Sequence, residues 1–140
     1  MRRKNRNPRG TAVIEFALIL PILVLLVLGI IEFSVALYDK AVITNASREG
    51  ARAGILFRDP PMADGEIAYV VTTYCQNRMI TFGSPADVAT TVFREGMASG
   101  DDLTVQVKYQ YQFLAIPRFV ASLGGNVQLE LNARTIMRME

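Results

Sequence analysis

The chain of 140 residues has no histidine and one cysteine, Cys75. Without histidine it lacks the commonest general base, the usual nitrogen ligand for metals and the imidazole of nucleophilic triads. A lone cysteine closes no internal disulfide, so Cys75 is either buried as a small hydrophobe or paired with another chain. There is no paired-acid signature and no phosphate-cradling loop, so no reaction, metal or cofactor is expected. Charge is scarce in one place above all. From Ala12 to Ile31 the only clearly polar side chain is Glu15.

That apolar run sets the broad class. About 20 apolar residues, at roughly 1.5 Å rise each in a helix, match a bilayer hydrocarbon core of about 30 Å. The flanks differ: Arg2, Arg3, Lys4, Arg6 and Arg9 precede it, and Glu32, Asp39 and Lys40 follow. By the positive-inside rule the N-terminus stays cytoplasmic and the rest is exported. The overall charge of +2 is misleading, because residues 11–140 hold ten Lys or Arg against thirteen Asp or Glu, a net −3. The basic cluster is a topology signal, and no nucleic-acid partner is expected.

The helical pattern does not stop at Ile31. EFSVALYDKAVITNASREGARAGIL has no proline, and apolar or small residues recur every three or four positions. A helix from about Thr11 to Ile55 would be roughly 65 Å long. Ala46, Gly50 and Gly54 are spaced by four, a small-residue stripe that allows a backbone or sheet to approach closely; Gly54 also suits a helix C-cap. Arg48 and Arg52 share a face, with Glu49 placed to pair with Arg52. This is either a solvated face or a docking patch for a partner.

Pro60 and Pro61 forbid further helix. A second helix is expected over about 66–79, with Ile67, Val70, Val71, Tyr74 and Cys75 on one face. Ser84-Pro85-Ala86-Asp87 has the form of a helix start, predicting a short helix ending by Gly96 or Gly100. Beyond it the period changes to two. Leu103, Val105, Val107, Tyr109, Tyr111 and Phe113 alternate with polar residues, and so do Val127 through Met139, which predicts two strands joined by 115–126 and paired antiparallel. Their apolar face needs a cover, supplied by the far half of the long helix and the 66–79 helix. The expected fold class is α+β: a long transmembrane helix running into a small periplasmic domain of short helices and an antiparallel sheet.

Ser34-Val35-Ala36 resembles a signal-peptidase site, but Glu32 lies just before it and the helical pattern runs through it. The segment RRKNRNPRGTAVIEF supports a different cut. A basic leader ends at Gly10, an apolar run begins at Thr11, and Glu15 is the fifth residue from there. This resembles the recognition site of the prepilin peptidase, which in type IV pilins cleaves after the glycine and leaves the hydrophobic segment in place. An acid at mid-membrane costs about 2.5–3.5 kcal/mol, less near an interface, so it marks a partner or pathway. Cleavage would free a cationic amine at Thr11. The fifth residue does not easily fold back on its own first, but the amine of a staggered neighbouring subunit would reach Glu15. Pro21 removes the backbone bond to Ala17 and is expected to kink or open the helix locally.

GTAVIEFALILPILVLLVLGIIEF together with ITNASREGARAGI resembles the TadE-like family of the tight-adherence, or Flp pilus, system, whose members carry a segment like Ala46, Arg48, Glu49, Gly50, Ala51 and Arg52 after the span. The resemblance covers residues 10–56. It implies a minor pilin or pseudopilin of the bacterial inner membrane, needed for pilus assembly, adhesion and biofilm formation. Its implied partners are the prepilin peptidase, another minor pilin of the TadF-like type, the major Flp pilin, the inner-membrane assembly platform and the lipid bilayer. The implied organisation is a leader at 1–10, a helix at 11–56 with its span at about 12–31 and a periplasmic extension at 32–56, and a periplasmic α+β domain at 57–140. The implied processing and assembly residues are Gly10, Thr11 and Glu15, with Pro21 at a kink. The alternative class is a single-span anchored binding domain that never enters a filament.

Overall fold

The computed structural model describes residues 8–56, 58–82, 86–113 and 129–139. The first helix, α1 (Pro8–Ile55), is 48 residues long. Proline is well tolerated at the start of a helix, where its missing N–H would have had no partner. The helix continues through Pro21 and carries Arg52 in its last turn, where a cation favours the C-terminal end of the dipole. It ends before Pro60 and Pro61.

The second helix, α2 (Asp64–Arg78), starts two residues earlier than its apolar spacing predicts. Asp64 and Glu66 occupy its first turn, and the Glu66 carboxylate accepts the Ala63 N–H at 3.1 Å. These acids at the positive end of the dipole set the start. Its buried residues are Ile67, Val71 and Cys75, at the expected helical spacing.

Three strands follow: β1 (Val88–Arg94), β2 (Asp102–Tyr111) and β3 (Leu129–Arg138), in spatial order β1-β2-β3 and antiparallel throughout. Val105 is the centre of the register, opposite Val92 on one side and Thr135 on the other. Both predicted strands are present with the expected alternation, and Leu103, Val105, Val107, Tyr109 and Tyr111 are buried on one face. The expected joining segment, 115–126, lies outside the described residues, as does Val127.

The helix expected after Ser84-Pro85 is not there; residues 88–94 form β1. In VATTVFR every residue but Ala89 and Arg94 is β-branched or aromatic, a composition that favours a pleated surface over a helix. Local capping signals at 84–87 are worth at most a kcal/mol or two, roughly, against a full ladder with β2. Ser84 and Pro85 themselves are outside the described residues.

The C-terminal half of α1 and all of α2 cover the apolar sheet face. One core joins Ala36, Ile43, Ala46 and Ala51 of α1, Ile67, Val71 and Cys75 of α2, and the inward residues of β2 and β3. β2 runs opposite to α1. Leu103 packs near Gly54, Val105 near Gly50, and the Tyr111 hydroxyl donates to the Glu32 carbonyl at 3.3 Å. The observed class is α+β: a long helix, apolar at its N-terminal end, followed by a short helix and a three-stranded antiparallel sheet.

Candidate assembly surface along the first helix

Along α1 the candidate residues fall on three kinds of surface. Gly10, Thr11 and Glu15 stand in its first turns, all exposed, and among the described residues no neighbour comes within 4 Å of the place where a Cβ on Gly10 would sit. From Thr11 to Leu28, Pro21 included, every residue is exposed, so the most apolar stretch is buried against none of the other described elements.

At the other end the small-residue stripe is turned inward. A Cβ on Gly50 would lie 2.5 Å from Val71 Cγ2, and one on Gly54 would lie 2.6 Å from both Ile67 Cδ1 and Leu103 Cδ2. Such distances are below van der Waals contact, so only glycine lets α1 meet α2 and β2 here. Ala46 is fully buried on the same stripe. The stripe thus closes the domain's own core. Arg48, Glu49 and Arg52 lie exposed on other sides of the helix, and among the described residues no ion pair joins Glu49 to Arg52. The two groups that share the segment after the span are therefore separated: glycines face the sheet and charges face outward.

Sequence reasoning missed the buried polar groups. Glu32, Asp39 and Ser47 all lie on the sheet-facing side of α1, at 4%, 0% and 0% exposure. They continue the helical spacing of Ala36, Ile43, Ala46 and Gly50, and that spacing is the signal that would have found them. The Asp39 carboxylate accepts the Ile80 N–H at 3.0 Å, fixing the chain just after α2. Burial raises the Asp39 pKa, and the Ile80 bond opposes the rise only partly. Burial, then the nearby Asp39 charge, pushes the Cys75 thiol up to about 11, and the same causes in the same order, with Glu32 and Tyr109 adding, raise Tyr111 to about 12. Cys75 is buried and protonated at neutral pH, so of its two readings the structure holds the first.

Further ties hold α1 to the sheet's edge. Ser47 Oγ donates to the Thr44 carbonyl and meets Thr135 Oγ1 at 2.7 Å, while Lys40 Nζ donates to the Asn132 carbonyl on β3. Arg94 at the end of β1 pairs with Asp64 at 2.8 Å and donates to the Met62 carbonyl at 2.5 Å, joining the sheet to the start of α2. Hollows open on the surface of the described residues. One, of about 90 Å³, lies between Gly54, Arg58, Arg94 and Met139, and an open one of about 260 Å³ lies along α2 at Tyr69, Tyr74 and Arg78, where Arg78 sits 4.0 Å over the Tyr74 ring. Among the described residues no cluster of three or more Cys, Asp or Glu is placed to hold a metal.

This architecture defines a class: one long apolar helix, consistent with a single membrane anchor, that continues without a break into the core of a small α+β domain. The family model of the TadE-like protein matches residues 10–52, about a third of the chain. Residues 53–140 lie beyond the match. No curated protein and no solved structure matches the chain. The match points to a Tad pilus-associated protein with an N-terminal hydrophobic helix, and to partners within that system in general.

Proposed function

We propose that this chain is a minor pilin or pseudopilin of a tight-adherence pilus, cut by a prepilin peptidase between Gly10 and Thr11 and needed for pilus assembly, adhesion and biofilm formation. The observation that carries the reading is the match itself, which begins at Gly10, the residue before the cut, and runs through the apolar helix to Arg52. An unburied apolar helix is what a subunit presents first to a bilayer and then to neighbouring helices. The N-terminus is cytoplasmic, the α+β domain periplasmic, and the protein has no catalysis of its own.

In this reading Glu15 takes the Thr11 amine of a neighbouring, staggered subunit. The partners are the major Flp pilin, a second minor pilin of the TadF-like type, and the inner-membrane assembly platform. Arg48, Glu49 and Arg52 face outward and are the charges available to such partners. Glu15→Val tests the pairing. Cleavage should continue near the wild-type rate while pili on the cell surface fall severalfold, counted by electron microscopy; normal piliation by the variant would refute the pairing.

A further inference from the structure

The charges just past Ile31 are not where a membrane boundary needs them. Glu32 and Asp39 are turned into the domain, so between Ile31 and Lys40 no charged side chain of α1 is exposed. What α1 exposes there is Phe33 at 57%, Leu37 at 56% and Tyr38 at 47%, with Ser34 between them. Ser34 Oγ donates to the Ile30 carbonyl at 2.7 Å, satisfying its hydroxyl within the helix as lipid requires. The apolar surface of the span therefore continues, on the side away from the sheet, about 10 Å beyond Ile31 at the helical rise. The stretch Ala12–Tyr38 would span about 40 Å, the depth of a bilayer core with its interfacial regions, roughly 40–45 Å.

We infer that the outer lipid leaflet covers this face: Phe33 and Leu37 lie among acyl chains, Tyr38 stands at the headgroup boundary, and the Tyr111 end of the sheet is seated in the interfacial layer. The inference rests on the anchor reading above and adds the depth at which the domain sits. Lipid is the occupant because the face is continuous with the span, uncharged, and internally satisfied at its hydroxyl. Tyrosine at its outer limit fits a ring that prefers the interface. Past Tyr38 the next charge on α1 outside the core is Lys40, half-buried with its Nζ on the Asn132 carbonyl, and the charges after it, Arg48 and Glu49, are exposed. The burial of Glu32 and Asp39 is then what lets a helix with acids at both positions stay in lipid on its other side.

The chain contains no tryptophan, so a single introduced one reports its own surroundings. The full chain would be reconstituted in phosphatidylcholine vesicles as Leu37→Trp, with Phe33→Trp as a second probe of the same face, Val24→Trp inside the span, and Tyr69→Trp on the exposed side of α2 as the aqueous reference. Acyl chains brominated near the headgroup should quench Leu37→Trp and Phe33→Trp at least twofold more than Tyr69→Trp. Val24→Trp should respond most to bromines deep in the chains. If both face probes are quenched no more than Tyr69→Trp while Val24→Trp is quenched, the inference falls and the anchor stands. If Val24→Trp is not quenched either, the anchor falls as well. Blue-shifted face probes that stay unquenched as lipid is added would mean that protein covers the face, which also overturns the inference.

Discussion

At Asp39 the chain accepts a buried carboxylate in exchange for one bond to the Ile80 backbone. Because burial raises its folded pKa, the group contributes stability below its unfolded pKa of about 3.9, and that contribution is lost as pH rises through the folded value. Asp39→Asn keeps an oxygen for the Ile80 N–H and carries no charge. The variant should therefore be more stable than the wild type at neutral pH, with the advantage shrinking as pH falls through the folded value and gone below about pH 4. Denaturant unfolding of the detergent-solubilised protein at several pH values reads this out, and a variant weaker at neutral pH would show that the charge itself is needed. Residues of this kind were the least legible in the sequence. Glu32 and Asp39 stand beside an apolar run and read as flanking charges, because a charge ends a span in any one-dimensional reading. Their place on the Ala36/Ile43/Gly50 side becomes decisive only once the sheet is there to receive them.

At the scale of elements, the α1 stripe was legible because its message is steric and local. Spacing of four puts Ala46, Gly50 and Gly54 on one line whatever packs against them, and a glycine inside a helix costs about 1 kcal/mol, which a close contact must offset. The partner in that contact was not legible, since a stripe of small residues admits a neighbouring chain as readily as the chain's own α2 and β2. With Val71 Cγ2 only 2.5 Å from the place of a Cβ, Gly50→Leu should separate α1 from α2. Overpacking of this sort costs typically 1–3 kcal/mol and occasionally more. Limited proteolysis of the solubilised domain should show cleavage within α2 or its flanks that the wild type resists, and unchanged resistance would remove the packing role. The β1 segment shows the opposite failure. Capping residues at 84–87 point to a helix, and they lose because β2 offers β1 a complete antiparallel ladder that only the folded sheet makes visible. Arg94, whose side chain is nearly buried between Asp64 and Met62, belongs to that same tertiary decision.

For the whole molecule, the division of labour lies along one helix. Its N-terminal half is exposed and apolar, and its C-terminal half is a wall of the α+β core, with no loop between them. A force or displacement on the anchor is therefore passed to the domain through continuous backbone. The period-two runs at 103–113 and 127–139 and the apolar run at 12–31 made this class readable in advance, because each pattern extends over many residues and depends little on its neighbours. Everything the proposed role adds depends on processing between Gly10 and Thr11, which in that role would create the amine that Glu15 takes. The most direct measurement is the intact mass of the protein recovered from membranes of cells with and without the prepilin peptidase. The account predicts a mature chain that begins at Thr11, lacking residues 1–10, only where the peptidase is present. A chain that keeps its leader in both strains, or one that begins at Leu37, would contradict it.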